Sequence, residues 1–403
     1  MAAGLLPVDE ALSRLLEGAS PLPAEAVAIA DAGGRVLAED VKALRTQPPF
    51  DASAMDGYAV RADDISRVPA RLAMIGESVA GRRFHGVVGE GEAVRIFTGA
   101  PVPEGADTVL LQEDARSIEE GVVETLEATR CGRNIRRAGL DFQIGETLLE
   151  AGRTLDPIAL SLAAAANHPR LSVVRKPLVA ILATGDELVP PGVEPGPDQI
   201  VASNVFGVAA IARSAGADVL DLGIAPDREE AIAATVGEAL SAKADVVVTL
   251  GGASVGDHDL VRGVLTGLGM ELSFWKIAMR PGKPLMSGRI GGHRVLGLPG
   301  NPVSSLVCAH LFLKPLVARL GGLAAEADIR DAVLSLPMKA NDHRQDYVRA
   351  HVEPRDGKLV ATPFSQQDSS MLKTMASANA LIVRAPQAEA ANAGDSCRVL
   401  LLG

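Results

Sequence analysis

Three short apolar runs, residues 178–183, 246–250 and 295–298, constrain this chain more than any other feature. Each is short and built of β-branched or aliphatic residues apart from Gly297, each stops at a turn bearing glycine or proline, and sequence of helical period separates one from the next. Buried parallel strands of an α/β sheet read this way, because helices cover both faces and leave no polar side. The turns that follow are Thr184-Gly185-Asp186-Glu187-Leu188, Gly251-Gly252-Ala253-Ser254-Val255-Gly256-Asp257-His258-Asp259 and Leu298-Pro299-Gly300-Asn301-Pro302-Val303-Ser304. Ligands of open α/β sheets sit beyond the carboxyl ends of the strands, so the three turns are expected at one site.

Glycine-bearing turns let backbone N–H groups approach an anion closely. Asn301-Pro302 also sets an N-cap and a first-turn proline before the apolar run 303–320, whose helix start attracts negative charge. Yet the same turns carry Asp186, Glu187, Asp257 and Asp259. Carboxylates beside a phosphate-type site make electrostatic sense with a hard cation between them, which points to Mg2+ bridging protein carboxylates and substrate phosphate. Between the second and third turns, Lys276-Ile277-Ala278-Met279-Arg280-Pro281-Gly282-Lys283-Pro284 holds three cations stiffened by prolines and a glycine. They suit a further anion, or form a solvated face.

The 403 residues imply about two to four domains. A net charge of −11 argues against a general nucleic-acid or anionic-membrane binder, and 3% aromatics leaves few platforms for base stacking. Cys131, Cys308 and Cys397 stand far apart, which excludes a CxxC zinc site or disulfide framework and fits a reducing cytoplasm. Asp9 and Glu10 precede any long apolar run, so no signal peptide is expected. His310, Lys314 and Arg319 interrupt the run 303–320, which should fall short of a membrane span. The expectation is a soluble, cytoplasmic protein.

Helices are expected over 8–17, 156–166 with Asp156-Pro157 as cap and first residue, 204–215 behind Ser203, 227–242 and 259–268. Alternating short runs over 61–140 and again over 331–403 read as two small β domains. Several polar residues carry bland alternatives. Asp56-Gly57 is a turn dipeptide, Thr98 and Asp141 suit loop turns, Asp227 with Glu230 forms a capping-box-like start, and Asp259 suits an N-cap.

The motifs TGDEL, GGASVGDHD, RPGKP and LPGNPVS together resemble the molybdenum cofactor biosynthesis domain. Ser53-Ala54-Met55-Asp56-Gly57-Tyr58-Ala59-Val60 and Arg95-Ile96-Phe97-Thr98-Gly99-Ala100 extend the likeness, so nearly the whole chain resembles the molybdopterin molybdenumtransferases of bacterial MoeA type, related to the E domain of gephyrin. Arg344-Gln345-Asp346-Tyr347-Val348-Arg349 is similar to an Arg-x-x-aromatic-x-Arg pattern of that family. Asp368-Ser369-Ser370 replaces a glycine-serine-glycine turn that many members carry.

The resemblance implies a multidomain α/β plus β fold, with a central three-layer α/β domain of mostly parallel sheet, an inserted small β domain and a C-terminal small β domain. The implied domains are a composite helical and extended domain over 1–30 and 141–175, a small β domain over 31–140, the molybdopterin-binding core over 176–325 and a β domain over 326–403. The implied reaction is Mg2+-dependent insertion of molybdate into adenylylated molybdopterin with release of AMP. Its catalytic residues would be Asp56, Thr98, Asp141, Glu187, Asp227 and Asp259, with Glu187, Asp227 and Asp259 around the metal. Gly185, Asp186, Gly251, Gly252, Ser254, Gly256, Lys276, Arg280, Lys283, Pro299, Asn301, Pro302 and Ser304 would bind substrate, Lys276 and Arg280 taking molybdate. A homodimer with a composite active site is implied, with a molybdopterin adenylyltransferase and molybdoenzymes as partners. The rival readings are the adenylyltransferase built on the same core and a gephyrin-like interaction scaffold.

Overall fold

The computed structural model describes residues 5–251, 260–325 and 327–402. The chain divides into two units, one of residues 1–25, 34–36 and 173–403, the other of 26–33 and 37–172. In the first, six strands form a sheet in the order Asp218–Ala225, Leu178–Thr184, Val246–Leu250, His293–Leu298, Met286–Ile290, Glu271–Trp275. The first four are parallel, and Met286–Ile290 runs antiparallel to both its neighbours, so Glu271–Trp275 again points with the first four. Successive strand residues face opposite ways. Ile181, Val248 and Leu296 accordingly pack with the helices Asn204–Ser214 and Pro302–Leu320, while Leu182 and Val295 pack with Glu229–Ser241 and Leu260–Gly267. This is the expected three-layer domain. Its register sets Ala183 beside Leu250 and Leu250 beside Leu298, so the three apolar strands end level.

The helix Pro302–Leu320 widens into a π turn at Ala309–Leu313. Pro315 follows at once and has no N–H to return to the preceding turn, which accounts for the widening. Against expectation, this helix is long and apolar enough to cross a bilayer, but 72% of its most apolar window is buried in the fold. It is a core helix.

The first helix, Val8–Leu16, departs from the expected composite domain. Its Val8, Ala11 and Leu15 lie in the same buried cluster as Leu313, Leu316 and Leu320, so it belongs to the α/β unit. Arg294 donates to the Leu15 carbonyl at 2.6 Å and to that of Glu17 at 3.0 Å, and Arg289 to Glu17 at 2.6 Å. These guanidiniums occupy carbonyls that a helix end leaves open.

The C-terminal strands close on themselves. Gln345–Arg355 pairs with both Lys358–Pro363 and Ala380–Arg384, and Ile329–Leu334 and Ser396–Leu401 complete the ring of a small barrel. Met279–Arg280 joins its edge, with Arg280 beside Asp346.

The second unit holds a six-stranded sheet in the order Thr108–Leu111, Gly57–Val60, Glu92–Ile96, Ala70–Ser78, Val122–Thr125, Ala115–Glu119. Asp56-Gly57 is no hairpin turn: Gly57 opens a strand paired on both sides. A Cβ there would stand 1.9 Å from the Leu110 carbonyl oxygen, so only glycine allows this approach. In the same unit Thr147–Leu149 pairs with Val41–Lys42, and Phe142 packs with Ala43 and Ala166. The segment after residue 140 therefore finds its partner near residue 42 rather than in the first helix. Asp156 caps Pro157–Ala165 as expected, accepting from Ala159 N at 2.7 Å.

Candidate functional site

Level strand ends bring the three turns together. Gly251 N donates to the Leu298 carbonyl at 3.2 Å, and a Cβ on Gly300 would lie 3.6 Å from Gly251 Cα. Gly251 itself has φ +93°, and a Cβ there would come within 2.9 Å of the Thr184 carbonyl, so glycine is what lets the first two turns touch. Between them opens a cavity of about 490 Å³ lined by Thr184, Glu187, Asp227, Gly251, Pro284, Pro299, Asn301 and Pro302 among others. Its charged lining, among the described residues, is Glu187 and Asp227 alone.

Asp227 does not cap a helix. The helix starts at Glu229 with Arg228 extended before it, and no side chain bonds its first turn, which removes the capping-box explanation. Instead, Asp227 N donates to Asp186 Oδ1 at 3.1 Å. The Asp227 carboxyl is held above its ordinary value by its own desolvation and then by the Asp186 and Glu187 charges. Thr184 Oγ1, buried in the same wall, has no hydrogen-bond partner among the described residues. Asn301 precedes Pro302 at the helix start, but its side chain does not cap; its Nδ2 reaches Ser369 Oγ at 3.2 Å.

In the other unit Asp56 and Thr98 are direct partners. Thr98 N and Thr98 Oγ1 both donate to Asp56 Oδ1 at 2.8 Å, so the threonine does not merely satisfy its own turn. Those two bonds, then the Arg95 charge, hold the Asp56 carboxyl below its ordinary value. Asp141 is exposed, with its N–H on the Gln47 carbonyl at 3.0 Å.

Known proteins match along the whole chain. Residues 6–167 match the MoeA N-terminal region (domain I and II), 180–319 a probable molybdopterin binding domain, and 331–402 the MoeA C-terminal region (domain IV). The molybdopterin molybdenumtransferase of Haemophilus influenzae is 35% identical over 399 residues, 98% of each chain. The chain belongs to the molybdopterin molybdenumtransferase family. The Bacillus subtilis transferase is 37% identical, covering 98% of this chain and 94% of its own. A crystal structure titled a molybdopterin biosynthesis MoeA protein, from Pyrococcus horikoshii, superposes with TM-score 0.85 at 31% identity, covering 99% of both chains. Membership makes this chain an enzyme of molybdenum cofactor biosynthesis, and neither the adenylyltransferase nor the scaffold reading is favoured.

Within this family member, the basic residues expected at the site separate. Lys276 has φ +78°, with its Nζ 4.0 Å from the Trp275 ring centroid; Arg262 approaches the same ring to 4.1 Å. Arg280 pairs with Asp346 and lies 3.6 Å from Asp342, so its charge is answered within the protein. It lines a second cavity of about 600 Å³ with Lys339, Gln367 and Arg384. Lys283 is exposed, and its neighbour Pro284 reaches the acidic cavity. Gly185 and Ser304 are buried and do not line it. Gly252, Ser254, Gly256, Asp257 and Asp259 lie outside the described residues.

Two site residues escaped the sequence reading. Asn204 Nδ2 donates to the Gly300 carbonyl at 2.7 Å and so holds the third turn, where its sequence suggested only a helix start. Arg349, 1% exposed, donates to Gln367 Oε1 at 3.0 Å and to the Asp368 carbonyl at 2.7 Å. It thereby fixes the turn whose Ser369 carbonyl accepts from Val303 N at 3.1 Å. Arg349 ends the Arg-x-x-aromatic-x-Arg pattern, which was the available signal.

Proposed function

We propose that this transferase inserts molybdate into adenylylated molybdopterin and releases AMP, with Mg2+ at the acidic cavity. The observation that carries this is the pair Glu187 and Asp227, joined by Asp186, facing a glycine-lined cavity with no basic side chain among its described lining. Three carboxylates held near one another, one pushed above its ordinary value, favour a hard cation. No ready cage of three ligands stands among the described residues. Mg2+ rarely needs one, because it binds through one or two carboxylates, its waters and substrate phosphates. Glu187 and Asp227 fit it in kind, with Asp259 as the third ligand that the family resemblance supplies.

Bound there, the ion would neutralise charge on the pyrophosphate. The protein's own share is orientation: Gly251 admits the phosphates to backbone, Pro299 and Pro302 fix the third turn, and Asn301 is tied to Ser369. Lys276 and Arg280 serve molybdate in this reading, Arg280 after exchanging its aspartates for substrate, while Lys283 contributes to substrate binding. The enzyme acts in the cytoplasm as a homodimer in which Asp56, Thr98 and Asp141 of one subunit serve the acidic cavity of the other. It receives its substrate from a molybdopterin adenylyltransferase and hands its product to molybdoenzymes.

The test is AMP release from adenylylated molybdopterin and molybdate, titrated with Mg2+. AMP release that ignores Mg2+ sinks the metal proposal, and ATP consumption with free molybdopterin would reinstate the adenylyltransferase. Mixing Asp56→Asn with Asp227→Asn subunits tests the dimer: heterodimers recover one intact site only if the two residues act across the interface.

A further inference from the structure

One cation in the β unit is built around Asp56 more closely than a solvated arginine requires. Arg95 lies directly across the antiparallel pair from Tyr58, and Phe97 is two residues along its own strand direction, on the same face. Its guanidinium carbon is 4.9 Å from the Tyr58 ring centroid and 5.0 Å from that of Phe97. Nη1 donates to the Gly57 carbonyl at 3.3 Å and Nη2 to Gln112 Oε1 at 2.7 Å. Gln112 N in turn donates to the Asp56 carbonyl at 3.2 Å.

All four partners of the guanidinium are neighbours of the same carboxylate. Gly57 and Tyr58 follow Asp56 in the chain, Gln112 holds its carbonyl, and Phe97 precedes the Thr98 that grips its Oδ1. Among the described residues Arg95 forms no ion pair within 4.0 Å, and its charge helps hold the Asp56 carboxyl low. Stacking between two rings holds a guanidinium flat and partly stripped of water, where its field reaches further. A purely structural staple would not need to leave that charge uncompensated.

We propose that Arg95 is a positioning residue for Asp56, fixing the turn that aims the carboxylate and supplying the positive charge beside it. The proposal rests on Asp56 acting in the transferase reaction, as proposed above. The other titratable groups facing Arg95 are Tyr58, Glu113, which accepts from Gln112 Nε2 at 3.2 Å, and Glu77, its register partner on the neighbouring strand, whose carboxylate is already taken by Arg82 at 2.9 Å. Losing Arg95 moves the Asp56 carboxyl back towards its ordinary value, so an activity that needs the ionised form fails at higher pH than before.

The experiment compares AMP release by Arg95→Met, Arg95→Lys and Asp56→Asn enzyme across pH, with thermal unfolding as the check on folding. Asp56→Asn should lose at least about 100-fold in kcat, the usual scale for a missing acid-base group. Arg95→Met should lose roughly tenfold in kcat with KM nearly unchanged, as expected for a misaligned group, and should shift the acid limb to higher pH. Arg95→Lys should restore that limb, because it keeps the charge while losing the fork. A folded Arg95→Met enzyme with its acid limb unmoved, or Lys and Met variants that behave alike, overturns the inference. If Asp56→Asn turns over normally, the reading of Asp56 itself fails first. Should the Met variant unfold, Arg95→Gln decides the same question by the same limb.

Discussion

Asp227, exposed, and Asp56, half-buried, are both carboxylates at strand or loop ends, and their surroundings treat them in opposite ways. Asp56 receives an N–H, a hydroxyl and a guanidinium field, and its carboxyl is held low. Asp227 receives the charges of Asp186 and Glu187 with partial desolvation, and its carboxyl is held high. The first site is complete within the protein and suits a fixed acceptor of protons or hydrogen bonds. The second is left in electrostatic deficit that a divalent ion would relieve. Electrostatic strain of this sort marks where a ligand is expected more reliably than acidity alone does.

The largest test of that contrast removes the deficit. Glu187→Gln with Asp227→Asn should cut Mg2+-stimulated AMP release by on the order of 10³-fold, since charge stabilisation is commonly the largest catalytic contribution. Retained turnover would make the acidic cavity structural. On the other side, Gly57→Ala drives a methyl into the Leu110 carbonyl and should destabilise the β unit by about 2 kcal/mol, read by denaturant unfolding. A neutral result would mean that the strand bearing Asp56 is not the rigid support the contrast assumes. Thr98→Val keeps the N–H to Asp56 and removes the hydroxyl. It should cost roughly 1 kcal/mol of transition-state stabilisation, about fivefold in rate, and move the acid limb to higher pH.

Much of this architecture was legible in the sequence, and the parts that were not share a cause. Short runs of β-branched and aliphatic residues identify buried strands, and their ends locate the three turns without any tertiary knowledge. Asp156-Pro157 works as a cap because both partners lie within one turn. The first helix shows the limit: an apolar stripe of Leu12, Leu15 and Leu16 says that a helix must cover something, but not whether the cover is Leu316 or another helix. Asp227 and Glu230 have capping spacing, yet Arg228 stays extended and delays the helix, a backbone choice that composition does not encode. Arg280 looked free because Asp342 and Asp346 lie more than 60 residues away and reach it only through the barrel edge.

The smallest effect bears most directly on the deficit at Asp227. A carboxyl held above its ordinary value favours the folded state below that ordinary value, and the advantage disappears as pH rises through the folded-state value. At neutral pH without Mg2+, the ionised Asp227 therefore costs stability. Asp227→Asn should raise stability slightly there, by a few tenths of a kcal/mol for so exposed a group and seen as a higher melting temperature, and the gain should vanish on acidification. Added Mg2+ should stabilise the parent protein by mass action and do much less for the variant. If the asparagine protein is no more stable than the parent at neutral pH without Mg2+, Asp227 is already compensated, and its difference from Asp56 disappears.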